Sequence, residues 1–402
     1  MTSRQRVVES LNHKQPEQLV IDFGGMRSTG IHAKAYRGLV DALGLSLPPP
    51  RLYDVFQQLV EPQPEVLDRL GGDVVQAHLR RPAFGIPLDG SWREELMDDG
   101  LTRVMVPEEF QPVVEPDGNA YIVRDGVKVA RRPKTGLYFD QVHHPYQECQ
   151  SAADVDKVPL PVFSDADVDF VVKGAEELYR TTDKAILIPF VGGIFEAGQL
   201  DFGYEEFFVN LLSEPEMMHH YFDRLCETHM DNLKRLLPRV APYAQVIQFG
   251  DDLGTQQTLQ VSVSTYREMI KPYHQRMYRY VRSHYPGLKL FMHCCGAIAE
   301  LIPDLIDAGV EVINPVQISA KGMDPAFLKR EFGKDLSFWG GGANMQGTVL
   351  NGTLEEIRAE TRKLIDIFSP EGGFVFSQVH NIQPGISPEK ILAIYDTALA
   401  AR

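Results

Sequence analysis

The sequence predicts an α/β fold, a parallel (β/α)8 barrel of the TIM type, with a β-rich insertion after its second strand. Eight short apolar segments recur along the chain, and most are followed by a polar or glycine-rich turn and then by a helical pattern. Strands that are buried on both faces and alternate with helices are what a closed parallel sheet requires. A turn-rich stretch between the second and third segments predicts the insertion.

The eight predicted strands are apolar runs of four to six residues, which is the length of strands and too short for helices. In chain order they are Leu19–Phe23, Asp73–His78, Ala185–Phe190, Gln245–Phe249, Lys289–His293, Val310–Pro315, Leu336–Trp339 and Phe374–Ser377.

Several helices carry recognisable start and stop signals. Thr353, with Glu356 three residues later, predicts a helix start of the capping-box type. Pro388 follows a serine and suits the first position of the last helix. Gly309 is expected to end the helix Ile298–Ala308 before the next strand begins.

The insertion covers about residues 82–146. Within it, the alternating runs Ala120–Arg124 and Val127–Ala130 flank the pair Asp125-Gly126, which is a hairpin signal. We expect this region to pack on the barrel, so that residues 1–402 form a single domain.

Composition limits the function classes. The 402 residues contain 40 Lys and Arg against 55 Asp and Glu, a formal charge of −15, which argues against nucleic acid or an anionic membrane as the main partner. No signal segment is recognisable at the start, and no apolar run reaches the roughly 18 residues that span a bilayer. The four cysteines show no disulfide framework, and we expect a reduced, cytoplasmic protein.

Functional groups of such barrels lie just after the strands. In this chain those positions collect titratable, polar and glycine residues. They are Met26, Arg27, Gly30, Gly192, Gly193, Glu196, Asp251, Asp252, Gln256, His293, Cys294, Cys295, Asn314, Pro315, Gln317, Trp339, Gly340–Gly342, His380, Asn381 and Gln383.

The segment from His293 to Gly296 predicts a metal site. His293 and Cys295 are two residues apart, so on an extended segment they project to the same side and can share one metal ion, whereas Cys294 points the other way. His380, after the last strand, can supply a third ligand and leave one position open. The alternative is a buried structural cysteine pair beside a hydrogen-bonded histidine.

The other polar residues allow two interpretations each. Asp252 and Glu196 are candidates for proton transfer, although acidic residues after a strand are often helix caps, and this alternative applies equally to Asp251. Arg27 suits a substrate carboxylate or a surface salt bridge.

Asp251, Gln317 and Trp339, together with Arg27, are the predicted substrate-binding residues. A phosphate-binding loop is not indicated, because the chain has no Gly-x-x-x-x-Gly-Lys-Ser/Thr pattern.

Three segments resemble uroporphyrinogen decarboxylases. Met26–Gly30 with Tyr36–Leu39 resembles their MRxxGR…YRxL segment, and His380–Pro384 resembles their HGILP segment. Tyr53–Val55 resembles their FSDIL segment, and this resemblance implies that Asp54 is the catalytic aspartate. The similarities follow the same order over nearly the whole chain and imply the barrel fold.

Departures from that pattern point to another branch of the superfamily. Ile31 stands where the decarboxylases have a second arginine. His293-x-Cys295-Gly296 is similar to the zinc site of the cobamide-dependent methyltransferases, and His380 falls at the position of their later cysteine ligand. The resemblance therefore implies zinc at His293, Cys295 and His380, although a histidine at His380 also matches the decarboxylases.

Three hypotheses follow. The first is a zinc-dependent methyltransferase that moves a methyl group between a small methylated substrate or thiol and a corrinoid (cobalamin) carried by a separate protein. In this hypothesis Asp252 or Glu196 completes the zinc shell or transfers a proton. The second is a metal-free decarboxylase of a porphyrinogen or other carboxylated substrate, which would use Asp54 and Arg27. The third is a barrel that binds a small ligand without converting it. By analogy with the family, a homodimer is expected.

Overall fold

The computed structural model describes all 402 residues and confirms the predicted α/β barrel. Seven parallel strands form one curved sheet in the order β16-β15-β14-β13-β12-β11-β4. The strands of the chain are β1 (Ile31–His32), β2 (Leu52–Asp54), β3 (Leu59–Val60), β4 (Val74–Gln76), β5 (Trp92–Leu96), β6 (Arg103–Pro107), β7 (Val113–Val114), β8 (Ala120–Arg124), β9 (Val127–Arg132), β10 (Asp140–Gln141), β11 (Ala185–Val191), β12 (Val246–Gly250), β13 (Lys289–His293), β14 (Val312–Asn314), β15 (Ser337–Trp339) and β16 (Phe374–Val375).

Helices follow the barrel strands and cover the outer face of the sheet. They are α1 (Ser3–Leu11), α2 (Ala33–Ala42), α3 (Pro64–Leu70), α4 (Ala152–Val155), α5 (Asp165–Thr181), α6 (Phe195–Phe202), α7 (Tyr204–Ser213), α8 (Pro215–Val240), α9 (Val263–Thr265), α10 (Lys271–His284), α11 (Ile302–Ala308), α12 (Pro325–Phe332), α13 (Thr348–Asn351), α14 (Leu354–Phe368) and α15 (Pro388–Leu399). None of them is both long and apolar enough to cross a membrane.

Three of the predicted helix boundaries are confirmed. Thr353 and Glu356 form the capping box of α14, and Pro388 is the first residue of α15. Gly309 ends α11 in the left-handed conformation, with φ of 119°. The first turn of the predicted helix Ile298–Ala308 differs, since residues 299–301 form a 3-10 turn ahead of α11.

The first predicted strand lies at the predicted position in the barrel, but it is much shorter than predicted. Leu19–Phe23 makes only one parallel bridge, between Ile21 and Phe376, because the Ile21 amide donates to the carboxylate of Asp73 at 2.9 Å instead of to a backbone carbonyl. The Ile21 carbonyl accepts from the Asp73 amide at 2.7 Å. This segment therefore joins β16 to β4 and closes the ring.

The barrel interior is filled by alternate residues of the strands, as a period of two dictates. A separate inner cluster of buried apolar side chains forms a plug, and α1 contributes two residues to it. Its members are Val7, Leu11, Val20, Met26, Val74, Ala185, Leu187, Val246, Phe291, Val312, Trp339 and Val375. The intervening strand residues, such as Ile186 and Ile247, pack outward against the helices.

The β-rich insertion lies between β4 and β11, as predicted. It contains the hairpin β5–β6 and an antiparallel sheet in the order β10-β9-β8-β7. Asp125 and Gly126 connect β8 to β9 with φ of 49° and 80°, which matches the expected hairpin turn. A further antiparallel sheet, β1-β3-β2, was not predicted, because strands of two or three residues leave no readable alternation.

We predict that Asp73→Ala lowers the free energy of unfolding by about 3–5 kcal/mol, the range for breaking a buried charge pair. The Asp73 carboxylate is almost fully buried and binds Arg6 at 2.9 Å, Arg402 and the Ile21 amide, so its removal leaves buried donors unpaired. Urea unfolding measures the change. Asp231→Ala, which removes an exposed pair with Lys234, is the control and should cost less than about 1 kcal/mol. An equal loss of unfolding free energy in both variants would contradict the role of Asp73 in closing the barrel.

Candidate active site

A cavity of about 180 Å³ opens among the residues that end the barrel strands. Its walls combine titratable groups with apolar side chains. The lining residues are Arg27, Ser28, Tyr53, Phe56, Gln57, Gln76, His78, Leu79, Pro82, Pro189, Val191, Glu196, Gln248, Gly250, Asp252, His293 and His380.

Three potential metal ligands lie close together, and two of them, Asp252 and His293, line this cavity. One ligand atom each from Asp252, His293 and Cys295 lies within 4.8 Å of the other two. His293 Nε2 is 3.5 Å from Cys295 Sγ and 3.7 Å from Asp252 Oδ1. The Cys295 amide donates to Asp252 Oδ1 at 2.7 Å, so the loop after β12 and the loop after β13 are held together.

Asn314 determines which nitrogen of His293 faces this cluster. The Asn314 amide nitrogen donates to the carbonyl of Trp339 at 2.9 Å, and this bond turns its oxygen toward His293 Nδ1, which is 2.8 Å away. Nδ1 must therefore carry the proton, and Nε2 presents a lone pair to Cys295 and Asp252. This is the arrangement that metal-binding histidines adopt.

The two ligand-atom separations around His293 Nε2 are close to those of a tetrahedral zinc site. With the usual zinc–ligand bond lengths, tetrahedral donors stand roughly 3.4–3.6 Å apart. The observed separations of 3.5 and 3.7 Å around His293 Nε2 are close to that range. One thiol, one imidazole and one carboxylate also form a donor set that zinc accepts.

The titratable groups of the cluster are strongly influenced by burial. Burial, and then the charge of Asp252, raises the pKa of the Cys295 thiol well above its usual range. Burial, and then the charges of Asp252 and Asp251, raises the pKa of Glu196 well above its usual range. A bound cation would reverse the effect on the thiol, since a coordinated thiol is deprotonated.

His380 lines the same cavity but is not one of the three clustered ligand residues. Its Nδ1 is 3.0 Å from the Asn381 side-chain oxygen, which leaves Nε2 with the lone pair. Burial, and then His293, lowers the pKa of His380 to about 4, so its ring is neutral at physiological pH.

Cys294 points away from the cavity, as predicted. Its side chain is fully buried, and its sulfur accepts a hydrogen bond from the Leu253 amide at 3.3 Å. None of the four cysteines forms a disulfide.

Asp251 has a different position from the one predicted for substrate binding. It is fully buried, does not line the cavity, and accepts hydrogen bonds from the amides of Ile194 and Glu196 at 2.9 and 2.6 Å. Its Oδ2 is also 2.8 Å from His274 Nε2. The carboxylate thus holds the first turn of α6, and with it Glu196, which is the helix-cap alternative considered from the sequence.

Trp339 and Gln317, also predicted to bind substrate, lie behind the cavity walls. Trp339 belongs to the barrel plug, and its Nε1 donates to the buried carboxylate of Asp22 at 2.8 Å. Gln317 accepts from the Gly296 amide at 2.7 Å and so supports the turn that follows Cys295. Both side chains position neighbouring segments.

Arg27 and Asp54 form one unit in the cavity wall. Arg27 Nε donates to Asp54 Oδ2, and its NH2 group donates to the Pro82 carbonyl at 3.2 Å. Asp54 is fully buried behind Arg27 and accepts from the Gln57 amide at 2.9 Å. Of the two, only Arg27 faces the cavity.

Sequence reasoning missed cavity residues that lie inside strands instead of after them. Gln76 and Gln248 are examples. Each stands two residues after an inward-facing valine, Val74 or Val246, so the alternation of side chains along the strand could have predicted that both glutamines face inward. The role of Asn314 in orienting His293 could not be predicted in this way, because it depends on contacts between the ends of three different strands.

Fold and site together define an α/β-barrel protein with a polar, potentially metal-binding centre at the carboxyl ends of its strands. The chain belongs to the uroporphyrinogen decarboxylase (URO-D) family, whose model matches residues 126–400. The region before residue 126, which contributes Arg27 and Asp54, lies outside that match.

Curated relatives and a solved structure agree with this assignment. A uroporphyrinogen decarboxylase of Thioalkalivibrio sulfidiphilus is 26% identical over 274 residues, covering 65% of this chain and 73% of the relative. One from Chlorobium limicola is 26% identical over 260 residues, covering 60% and 67%. A methyltransferase from Methanosarcina mazei superposes with a TM-score of 0.61 at 16% identity, covering 100% of this chain and 99% of the other, which shows a shared fold.

We predict that neutralising the two adjacent aspartates changes stability by different amounts. Asp251→Asn should lower the free energy of unfolding by about 2–3 kcal/mol, because hydrogen bonds to a charged acceptor are lost and an amide group faces backbone donors. Asp252→Asn, at a partly exposed side chain, should change stability by less than about 1 kcal/mol. Thermal or urea unfolding of the two variants compares them directly, and a larger loss for Asp252→Asn would contradict the assignment.

We also predict a pH-dependent contribution to stability from Asp22. Burial raises the pKa of Asp22 to about 6, above its ordinary 3.8. The folded state then binds the proton more tightly than the unfolded state, so the free energy of unfolding falls as pH rises from about 4 to about 6. Two pKa units correspond to about 3 kcal/mol.

Urea unfolding of wild type and Asp22→Asn at pH 4 and pH 7 tests this. The wild-type value should fall relative to the variant between the two pH values, because asparagine does not titrate. A constant difference between the two proteins would show that Asp22 has the same pKa in both states.

Proposed function

We propose that this protein is a zinc-dependent methyltransferase that moves a methyl group between a small methylated substrate or thiol and a corrinoid carried by a separate protein. The observation that carries the proposal is the cluster of Asp252, His293 and Cys295 at the barrel mouth, with His293 Nδ1 bonded to Asn314 so that Nε2 faces the other two ligand atoms. The methyltransferase of Methanosarcina mazei, whose fold extends over the whole of this chain, supports the reaction class.

In this proposal His293, Cys295 and Asp252 hold the metal. Zinc bound there would lower the pKa of a thiol ligand or polarise the heteroatom that carries the methyl group. His380 faces the same cavity with a neutral ring, so its Nε2 can accept a hydrogen bond from the substrate. Metal-binding Cys295 needs a reduced thiol, which agrees with the predicted cytoplasmic location.

Glu196 and Arg27 would donate hydrogen bonds or a proton to polar atoms of the substrate. Because the pKa of Glu196 is raised, its carboxyl group can donate a proton or a hydrogen bond to a leaving heteroatom. Arg27, fixed by Asp54 and the Pro82 carbonyl, presents its remaining N–H groups to the cavity and can orient an acceptor atom. The corrinoid protein would present its cobalt at the open mouth.

The first experiment is the metal content of the purified protein under reducing conditions. We expect about one zinc per chain in the wild type and in His380→Ala, and its loss in His293→Ala, Cys295→Ser and Asp252→Asn. Loss in His380→Ala as well would make His380 a ligand, as the sequence resemblance implies. A wild-type protein that binds no zinc would overturn the mechanism.

A second variant tests the tautomer argument. Asn314→Leu removes the acceptor of His293 Nδ1 while keeping a similar side-chain volume, and we expect zinc affinity to fall by about 10- to 100-fold, as is usual when a partner of a metal-binding histidine is lost. Competition with a chelator measures the change. Asn232→Leu is the matched control, because Asn232 is a buried asparagine that accepts from the Phe163 amide and does not line the cavity, and it should leave zinc affinity unchanged.

Decarboxylation of a carboxylated substrate is the second candidate, favoured by the names of the curated relatives. It would use the Arg27–Asp54 pair, which needs no metal. Activity with a porphyrinogen that survives metal removal and is lost in Asp54→Asn would support this candidate over the methyltransferase.

A further inference from the structure

Two buried glutamines form part of the floor of the cavity. In β4 and β12 the inward valines Val74 and Val246 are followed two residues later by Gln76 and Gln248, which therefore point the same way. Gln248 pairs in register with Phe291, the plug residue two positions before His293. The glutamines thus lie one layer, roughly 6–7 Å, deeper in the barrel than the metal-ligand cluster.

The floor offers a hydrogen-bonding group that the protein does not use. Gln76 and Gln248 are each only 8% exposed, and both line the cavity. The hydroxyl of Tyr53, 4% exposed, has no partner within hydrogen-bond distance, and Gln76 is the polar side chain next to it. An unpaired buried hydroxyl is costly and rare in proteins, so its position beside two cavity-lining amides points to a ligand that satisfies it.

The charge and shape of the site define that ligand. The charged groups of the cavity are Arg27, Glu196 and Asp252, which come from the loops after the strands, and Arg27 is paired with Asp54. Burial raises the pKa of Tyr53, so its hydroxyl stays protonated and can donate. The side walls are apolar and are formed by Phe56, Leu79, Pro82, Pro189 and Val191.

We propose that Gln76, Gln248 and Tyr53 form a specificity subsite for a neutral amide, carbonyl or hydroxyl group carried on a flat apolar body. A carboxylate placed there would have to compete with Asp54 for Arg27, the nearby cation, and burial of a poorly compensated charge is unfavourable. The subsite deepens the proposed function, because it describes the part of the substrate that does not react. It binds that part independently of zinc.

Benzamide and benzoate are suitable probes, because they share a shape and differ in charge. Calorimetric titration should show that wild type binds benzamide more tightly than benzoate. Gln76→Met, Gln248→Met and Tyr53→Phe should each weaken benzamide binding about 3- to 10-fold, the effect of one lost hydrogen bond, and change benzoate binding less than 2-fold. Gln111→Met, at an exposed glutamine of the insertion, is the matched control and should change neither.

Thermal unfolding separates a binding role from a structural one. Methionine in place of a buried amide removes a desolvation cost, so both glutamine variants should melt at or above the wild-type temperature. The proposal is overturned if benzamide does not bind the wild type, or if the three variants bind it as the wild type does. His293→Ala should lose zinc and still bind benzamide, so failure of the metal site and failure of the subsite are distinguishable.

Discussion

The alternation of side chains along the short barrel strands is the constraint on which the site depends. Every second residue must point inward, and the ring is closed, so the interior has to be filled layer by layer. The lower layers are Val, Leu, Phe and Trp and form a dry plug. Toward the carboxyl ends of the strands, the same alternation places Gln76, Gln248 and His293 in the cavity wall.

The alternation also gives neighbouring residues opposite tasks. Asp251 turns into the barrel wall and caps α6, whereas Asp252 reaches the cavity. Cys294 is buried against the Leu253 amide, whereas Cys295 joins the ligand cluster. In each pair one residue builds the framework that holds its neighbour in place, so chemical type alone does not distinguish the two.

This explains what the sequence predicted and what it did not. The apolar runs located all seven regular barrel strands, and Asp125-Gly126 located the hairpin of the insertion, because both signals are local. The reduced first strand was not predictable, since it depends on a side chain of Asp73, fifty residues away. The expectation that functional groups follow the strands identified the region of the site. It could not distinguish Asp252, which faces the cavity, from Trp339, which is buried and whose role depends on contacts across the barrel.

The closure at Asp73 has a consequence for the connectivity of the chain. Its carboxylate binds both Arg6 and Arg402, so the first and last helices converge at one point, on the α1 side of the plug and opposite the cavity. A circular permutant that joins these ends by a short linker and opens the chain at Asp125-Gly126 would keep every barrel contact. The arrangement of the barrel strands around the site therefore does not require that the βα units follow one another in the present chain order.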